Sequence, residues 1–281
     1  MGCTGRGRIT VTENSTGTEA TIYEVRKGAA WITLNRPKNR NALSAILVNE
    51  LYDHLKSAND DDTVRSIVIT GTGPAFCAGA DLKSPPGQTI DGGGRAVPYT
   101  DVLVAIMDSD KPVIAAINGA AFAGGLGLVG ASDIVITAAD VQLSFSEVRI
   151  GVIPAVISVV CLPKLGTHHG MKLFLTGERF SGQQAVDMGF AHRSVEADKL
   201  TEAVQEEIDM INLGGPNAVR ECKKLVRRIP QLSREDGFKK TGEWSMRMFK
   251  SDEGAEGMAA FREKRQPAWT NTASTNTEGD E

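Results

Sequence analysis

The sequence predicts an α/β fold of repeated β-β-α units with a helical C-terminal region, on three observations. Short β-branched strand patterns alternate with helical ones over residues 20–196. Glycine-flanked turns follow strands at "GTGPAFCAGADLK" and "NGAAFAGGLGLVG". From about residue 197 strand patterns stop and amphipathic helical ones continue.

Taken in order, "TIYEVRKGAAWITLNRP" reads as two strands around a Lys27-Gly28 turn. "ALSAILVNELYDHLKSA" places Leu43, Leu47, Leu51 and Leu55 on one helical stripe, and "SIVITGTG" is a buried strand. The cycle recurs with "TDVLVAIMDSD" as helix and "KPVIAAING" as a strand ending in a turn. "SDIVITAADVQLSFSE" then supplies two strands around an Ala-Asp turn. Three late segments, "ADKLTEAVQEEIDMINLG", "PNAVRECKKLVRRI" and "EGAEGMAAFREKRQ", are amphipathic and helical. Residues 1–19 and 270–281 are polar and poor in aromatics, so they are expected to be flexible ends around a core of 20–196 and a helical region of 197–269.

Thirty-one Lys and Arg against 35 Asp and Glu give a net charge of -4, so no global basic field recommends nucleic acid or an anionic membrane as partner. The four cysteines, Cys3, Cys77, Cys161 and Cys222, show no paired short spacing. The four histidines complete no metal-ligand pattern with them. Reduced thiols, no metal, no export signal and no membrane span make a cytoplasmic protein the expectation.

The run "AFAGGLGLVG" puts four glycines among apolar residues, and three readings are open. Gly125, Gly127 and Gly130 satisfy G-x-G-x-x-G, the dinucleotide fingerprint, although the preceding strand ends too early at Asn118-Gly119. Small residues also let a helix lie close against a sheet. Thirdly, if neighbouring parallel strands bring both glycine turns to one sheet edge, each can aim a backbone N–H at one oxygen. A helix N-terminus at "AGG" would add partial positive charge. Gly124, without a Cβ, would let a flat carbonyl approach such an oxyanion hole.

"FCAGADLK" followed by "NGAAFAGGLGLVGASDIVITAADVQLSFSEVRIGVIP" resembles the crotonase, or enoyl-CoA hydratase/isomerase, superfamily. The resemblance runs from about residue 20 to 269, with "WITLNRPKNRNALS" early and "EGMAAFREKR" late. It implies a spiral of β-β-α repeats, a C-terminal helical trimerisation region and a homotrimer or dimer of trimers. The substrate implied is an acyl-CoA thioester, with no cofactor beyond the CoA it carries. The oxyanion N–H groups match Ala78 and Gly124. Lys38, Asn39, Arg40 and Ala42, with Ala80, Asp81 and Leu82, match residues that meet CoA; Phe261 and Lys264 match residues that reach it, often from a neighbouring subunit. A core phenylalanine and a solvated lysine are the plain alternative for the last two.

Hydratases of the superfamily usually carry two glutamates. Gly127 stands at the first position and Glu147 at the second. A single carboxylate suits double-bond isomerisation, whereas water addition benefits from two acid–base groups. Glu147 alone therefore implies an enoyl-CoA isomerase, with hydration as the alternative and a non-catalytic acyl-CoA-binding protein as an alternative of another class. For Glu147 the plain reading is a strand-end carboxylate, solvated or paired with Arg149. Asp81 is expected to brace the loop after the oxyanion turn, and Asp133 the turn into "IVITA". "KSPPGQTIDGGGRAVPYT" is expected to form a mobile wall of the acyl pocket.

Overall fold

The computed structural model describes residues 19–83 and 96–271; most of both expected flexible ends, Cys3 and most of the expected pocket wall lie outside them. Strands β1 (Thr21–Arg26) and β2 (Ala29–Leu34) form an antiparallel hairpin. Its turn residues Lys27 and Gly28 both have positive φ, 50° and 75°, the conformation whose twist matches a two-residue hairpin.

Helix α1 (Ala45–Asp60) follows, buried through Leu47, Leu51 and Leu55. Ser44 caps it by accepting from Leu47 N at 3.3 Å. Leu43, read as part of that stripe, precedes the helix and instead pairs in a parallel bridge with Ala80.

Three β-β-α units come next. The first is β3 (Ser66–Gly71), β4 (Ala75–Cys77) and α2 (Tyr99–Asp108). The second is β5 (Val113–Ile117), β6 (Ala120–Phe122) and α3 (Gly124–Ala131). The third is β7 (Ile134–Ala138), β8 (Leu143–Ser144) and α4 (Ala155–Thr176), followed by α5 (Gly182–Asp187) and β9 (Arg193–Val195). The first strand of each unit joins a large sheet ordered β1-β2-β3-β5-β7-β9, and the second joins a small parallel sheet ordered β4-β6-β8.

Along β3 the side chains alternate between two cores. Ile67 and Ile69 face the main core with Leu47, Leu51 and Leu126, while Val68 faces a second core closed by Leu200, Val204 and Ile208. Burial on both faces is why "SIVIT" reads as a continuous apolar run. Each such Ile or Leu stabilises the fold by about 1.5–3 kcal/mol.

Among the described residues, only helices follow β9: α6 (Leu200–Leu213), α7 (Pro216–Arg228), α8 (Arg234–Phe249), α9 (Asp252–Glu263) and the short α10 (Ala268–Asn271). α6 supplies the second core, whereas α7 buries no residue and α8 buries only Gly237. No described helix is long and apolar enough to cross a membrane. Cys77 and Cys161 are buried free thiols, and Cys222 is an exposed one.

Candidate active site

The small sheet sets the geometry. Cys77 pairs with Ala121 and Phe122 with Ser144, so the chain leaves β4, β6 and β8 from one edge. The glycine-flanked turns at 78–81 and 123–125 and the segment carrying Glu147 are therefore neighbours. Ala123 N donates to Ser144 O at 3.0 Å, tying the second turn to the third strand.

Ala123 has φ 49° and ψ −123°, a conformation that costs a residue with a Cβ about 1–3 kcal/mol. It turns the chain so that α3 starts at once with Gly124. Gly79 faces it at φ 91°, and a Cβ there would lie 3.0 Å from both the Ala123 Cβ and the Phe122 O. Only glycine lets the two turns approach so closely.

The N–H beside Gly124 belongs to Ala80, which corrects the expected pairing with Ala78. Ala78 N donates to Arg40 O at 3.0 Å and is spent on the fold. Leu43 bonds both neighbours of Ala80, with Leu43 N to Gly79 O at 2.8 Å and Asp81 N to Leu43 O at 3.1 Å. In a parallel bridge of this kind the intervening residue turns its own N–H the other way. That side faces Gly124, whose α-carbon would place a Cβ 3.8 Å from Ala80 N. Among the described residues, neither Ala80 N nor Gly124 N donates to a backbone carbonyl. Ala80 is exposed and Gly124 half-buried, so both N–H groups are open to an approaching acceptor.

The remaining glycines of the run serve packing. A Cβ on Gly125 would sit 2.4 Å from Cys77 O, and one on Gly130 would sit 2.7 Å from the Cys161 Sγ. One on Gly127 would meet the Ile157 Cγ2 at 2.5 Å and the Tyr99 Oη at 2.7 Å. All three glycines of the G-x-G-x-x-G match thus turn their open side to protein, leaving no face there for a pyrophosphate. The space where a side chain at 127 would stand is filled by Ile157 and Tyr99.

Glu147 lies in the 3-10 turn Ser146–Ile150 that follows β8. Its Oε2 is buried with no hydrogen-bond partner among the described residues. Burial raises its pKa above the ordinary carboxylate value, and only a bond to its own backbone pulls the other way. The alternative pairing with Arg149 does not form, because Arg149 Nε donates to Gly177 O at 3.1 Å. The charge of Glu147 opposes ionisation of Tyr99 and Cys161, both of which hydrogen-bond carbonyls of α3. A buried carboxylate without a hydrogen-bond partner among the described residues, on a segment that neighbours the turns bearing the Ala80 and Gly124 N–H groups, is equipped to move a proton at a carbon adjacent to a polarised carbonyl.

The sequence profile of the enoyl-CoA hydratase/isomerase family matches residues 24–272. This chain belongs to that family. It is 36% identical over 245 residues to a carnitinyl-CoA dehydratase of Proteus mirabilis, covering 85% of this chain and 93% of that one. An enoyl-CoA hydratase of Mycobacterium tuberculosis is 31% identical over 256 residues, covering 89% and 96%. Among solved structures, an enoyl-CoA hydratase from Bacillus anthracis superposes with a TM-score of 0.82 at 30% identity, covering 89% of this chain and 99% of that one. These relatives are enzymes, and the crotonase spiral with its helical C-terminal region is the shared fold.

Lys38, Asn39 and Arg40 are exposed on the 3-10 turn Pro37–Asn39 and its left-handed C-cap. Ala42 is half-buried, its carbonyl accepting from Arg36 Nη1 at 3.0 Å. Asp81 is buried and ion-paired with Arg36 at 3.0 Å, so it braces the loop as expected, and Leu82 beside it is 77% exposed. Asp133 accepts from Val113 N at 2.8 Å and pairs with Lys223 and Arg227, which fixes the entry to β7. Phe261 is 85% exposed, which excludes the core reading, and Lys264 caps α9 in the left-handed conformation.

Reading the sequence missed Arg36, Asn41, Tyr99 and Ile157. Asn41, buried at φ 54°, donates to Thr72 O at 3.0 Å and Ala75 O at 2.7 Å and accepts from Arg36 N at 2.8 Å. Its signal was the side chain that best tolerates a left-handed backbone. Tyr99 and Ile157 carried no signal, since only the packing of α2 and α4 on α3 shows what stands over Gly127.

Proposed function

We propose that this chain moves the double bond of an enoyl-CoA thioester, with Glu147 as the single proton carrier. The carrying observation is the closed space at Gly127: a Cβ there would overlap Ile157 and Tyr99, so a second carboxylate does not fit at this position. In this reading the thioester oxygen of a 3-enoyl substrate accepts from Ala80 N–H and Gly124 N–H. The Glu147 carboxylate removes a proton from C2, and the C2–H electrons pass into the dienolate, whose negative oxygen the two N–H groups hold. Glu147, now a carboxylic acid, returns the proton to C4. The product is the conjugated 2-enoyl thioester, with no net gain or loss of atoms.

Lys38 and Arg40 are exposed on the loop whose Arg40 carbonyl is tied to the first oxyanion turn, so they suit the CoA phosphates. Exposed Phe238, Met246 and Phe249 on α8 form an apolar face that suits burial in a homotrimer, from which a neighbour's Phe261 and Lys264 would reach CoA. Hydration is the second reading, favoured by the dehydratase and hydratase names of the relatives.

A 3-enoyl-CoA carrying deuterium at C2 tests the single carrier. The proposal expects part of the label at C4 of the product in light water. Complete washout together with incorporation of water into product would point to the hydratase reading.

A further inference from the structure

Helix α3 is poorly equipped to hold its own first turn. It has eight residues, four of them glycine, and Ala123 at its N-cap offers no side-chain hydrogen bond. Each interior glycine weakens a helix by about 1 kcal/mol relative to alanine, yet this turn must fix the Gly124 N–H to a fraction of an ångström. Tyr99, the first residue of α2, supplies what is missing. Its hydroxyl donates to Gly124 O at 2.5 Å, the carbonyl that Leu128 N–H faces from one turn further along the helix. The hydroxyl thus anchors a carbonyl in the first turn of the helix. It fits because Gly127 has no side chain: a Cβ there would stand 2.7 Å from it.

We propose that Tyr99 is a positioning residue for the oxyanion hole, its hydroxyl holding Gly124 C=O so that the first turn of α3 keeps Gly124 N–H aimed beside Ala80 N–H. Burial holds the phenol protonated, as a donor to the Gly124 carbonyl requires. Gly127 and Tyr99 are then one device, the glycine making room for the hydroxyl that splints the glycine-weakened helix. The inference rests on the proposed oxyanion role of the two N–H groups.

The test is a cinnamoyl-type CoA thioester whose absorption moves to longer wavelength as its carbonyl is polarised, titrated into wild type, Tyr99→Phe and Val102→Ala. Val102 is a buried α2 residue, so its truncation loosens the same helix without touching the hydroxyl. Wild type and Val102→Ala are expected to show the full red shift. Tyr99→Phe is expected to bind the probe with a similar Kd, to lose at least half the shift, and to convert 3-enoyl-CoA with kcat down about 10-fold and KM little changed. A full shift in Tyr99→Phe overturns the positioning role alone, as does an equal loss in Val102→Ala. A wild-type protein that binds the probe without any shift overturns the oxyanion reading and this inference with it.

Discussion

Burying Glu147 with one carboxylate oxygen unpartnered raises its pKa, so the folded chain binds a proton there more readily than the unfolded chain. The stabilisation from that proton is fully present below the ordinary glutamate pKa and is lost as pH rises through the higher folded value. At neutral pH the ionised side chain is therefore a cost retained for chemistry. Glu147→Gln is expected to raise the Tm at neutral pH, with the gain shrinking in mild acid, while turnover falls by about 10²–10⁴. Thermal melts at two pH values beside a rate assay check both halves. For wild type, the acid limb of kcat/KM should lie above the titration range of an ordinary glutamate, because only the unprotonated carboxylate can accept the C2 proton. At Gly127 steric overlap decides the outcome. Gly127→Ala should cost about 1–3 kcal/mol in denaturant unfolding, and Gly127→Glu should yield no hydratase activity, since Ile157 and Tyr99 occupy the space.

At the scale of elements, α3 is held at both ends by side chains from other helices. Lys164 on α4 donates to Ser132 O at 2.6 Å at the C-terminal end, where a cation also suits the helix dipole. Burial lowers its pKa to about 8, with Asp133 opposing the shift and Arg227 reinforcing it. An unfolded lysine titrates near about 10.4, so the unfolded chain binds more protons between these values and stability rises with pH across that window. Lys164→Met should flatten the rise in denaturation midpoint between about pH 8 and pH 10. α1, α6, α7 and α9 were legible because their apolar residues recur at helical spacing. α4 was not, since Pro163 lies inside it and Gly166 breaks it at φ 64°. β4 and β6 are three residues each, too short to show alternation, and pairing in the small sheet defines them.

For the whole molecule, the β-β-α order and the helical C-terminal region could be read from strand and helix patterns and from motifs spread over the chain. Glu147 and Gly124 stand at motif positions that the sequence shows. The partner N–H could not, because Ala78 and Ala80 differ only in which backbone group Arg40 and Leu43 occupy, a matter of register rather than residue type. The exposed apolar face of α8 suits a contact between copies of the chain. Light scattering is expected to give three or six times the chain mass of 30.0 kDa, and a monomer would leave Phe238 and Phe249 unexplained. The measurement that bears most directly on the single-base account offers purified protein 3-enoyl-CoA and 2-enoyl-CoA in parallel, following conjugation by ultraviolet absorbance and products by mass. The account predicts conversion of the 3-enoyl substrate without gain of water, lost in Glu147→Gln. Rapid gain of water by the 2-enoyl substrate would contradict it and show that the closed space over Gly127 does not exclude hydration.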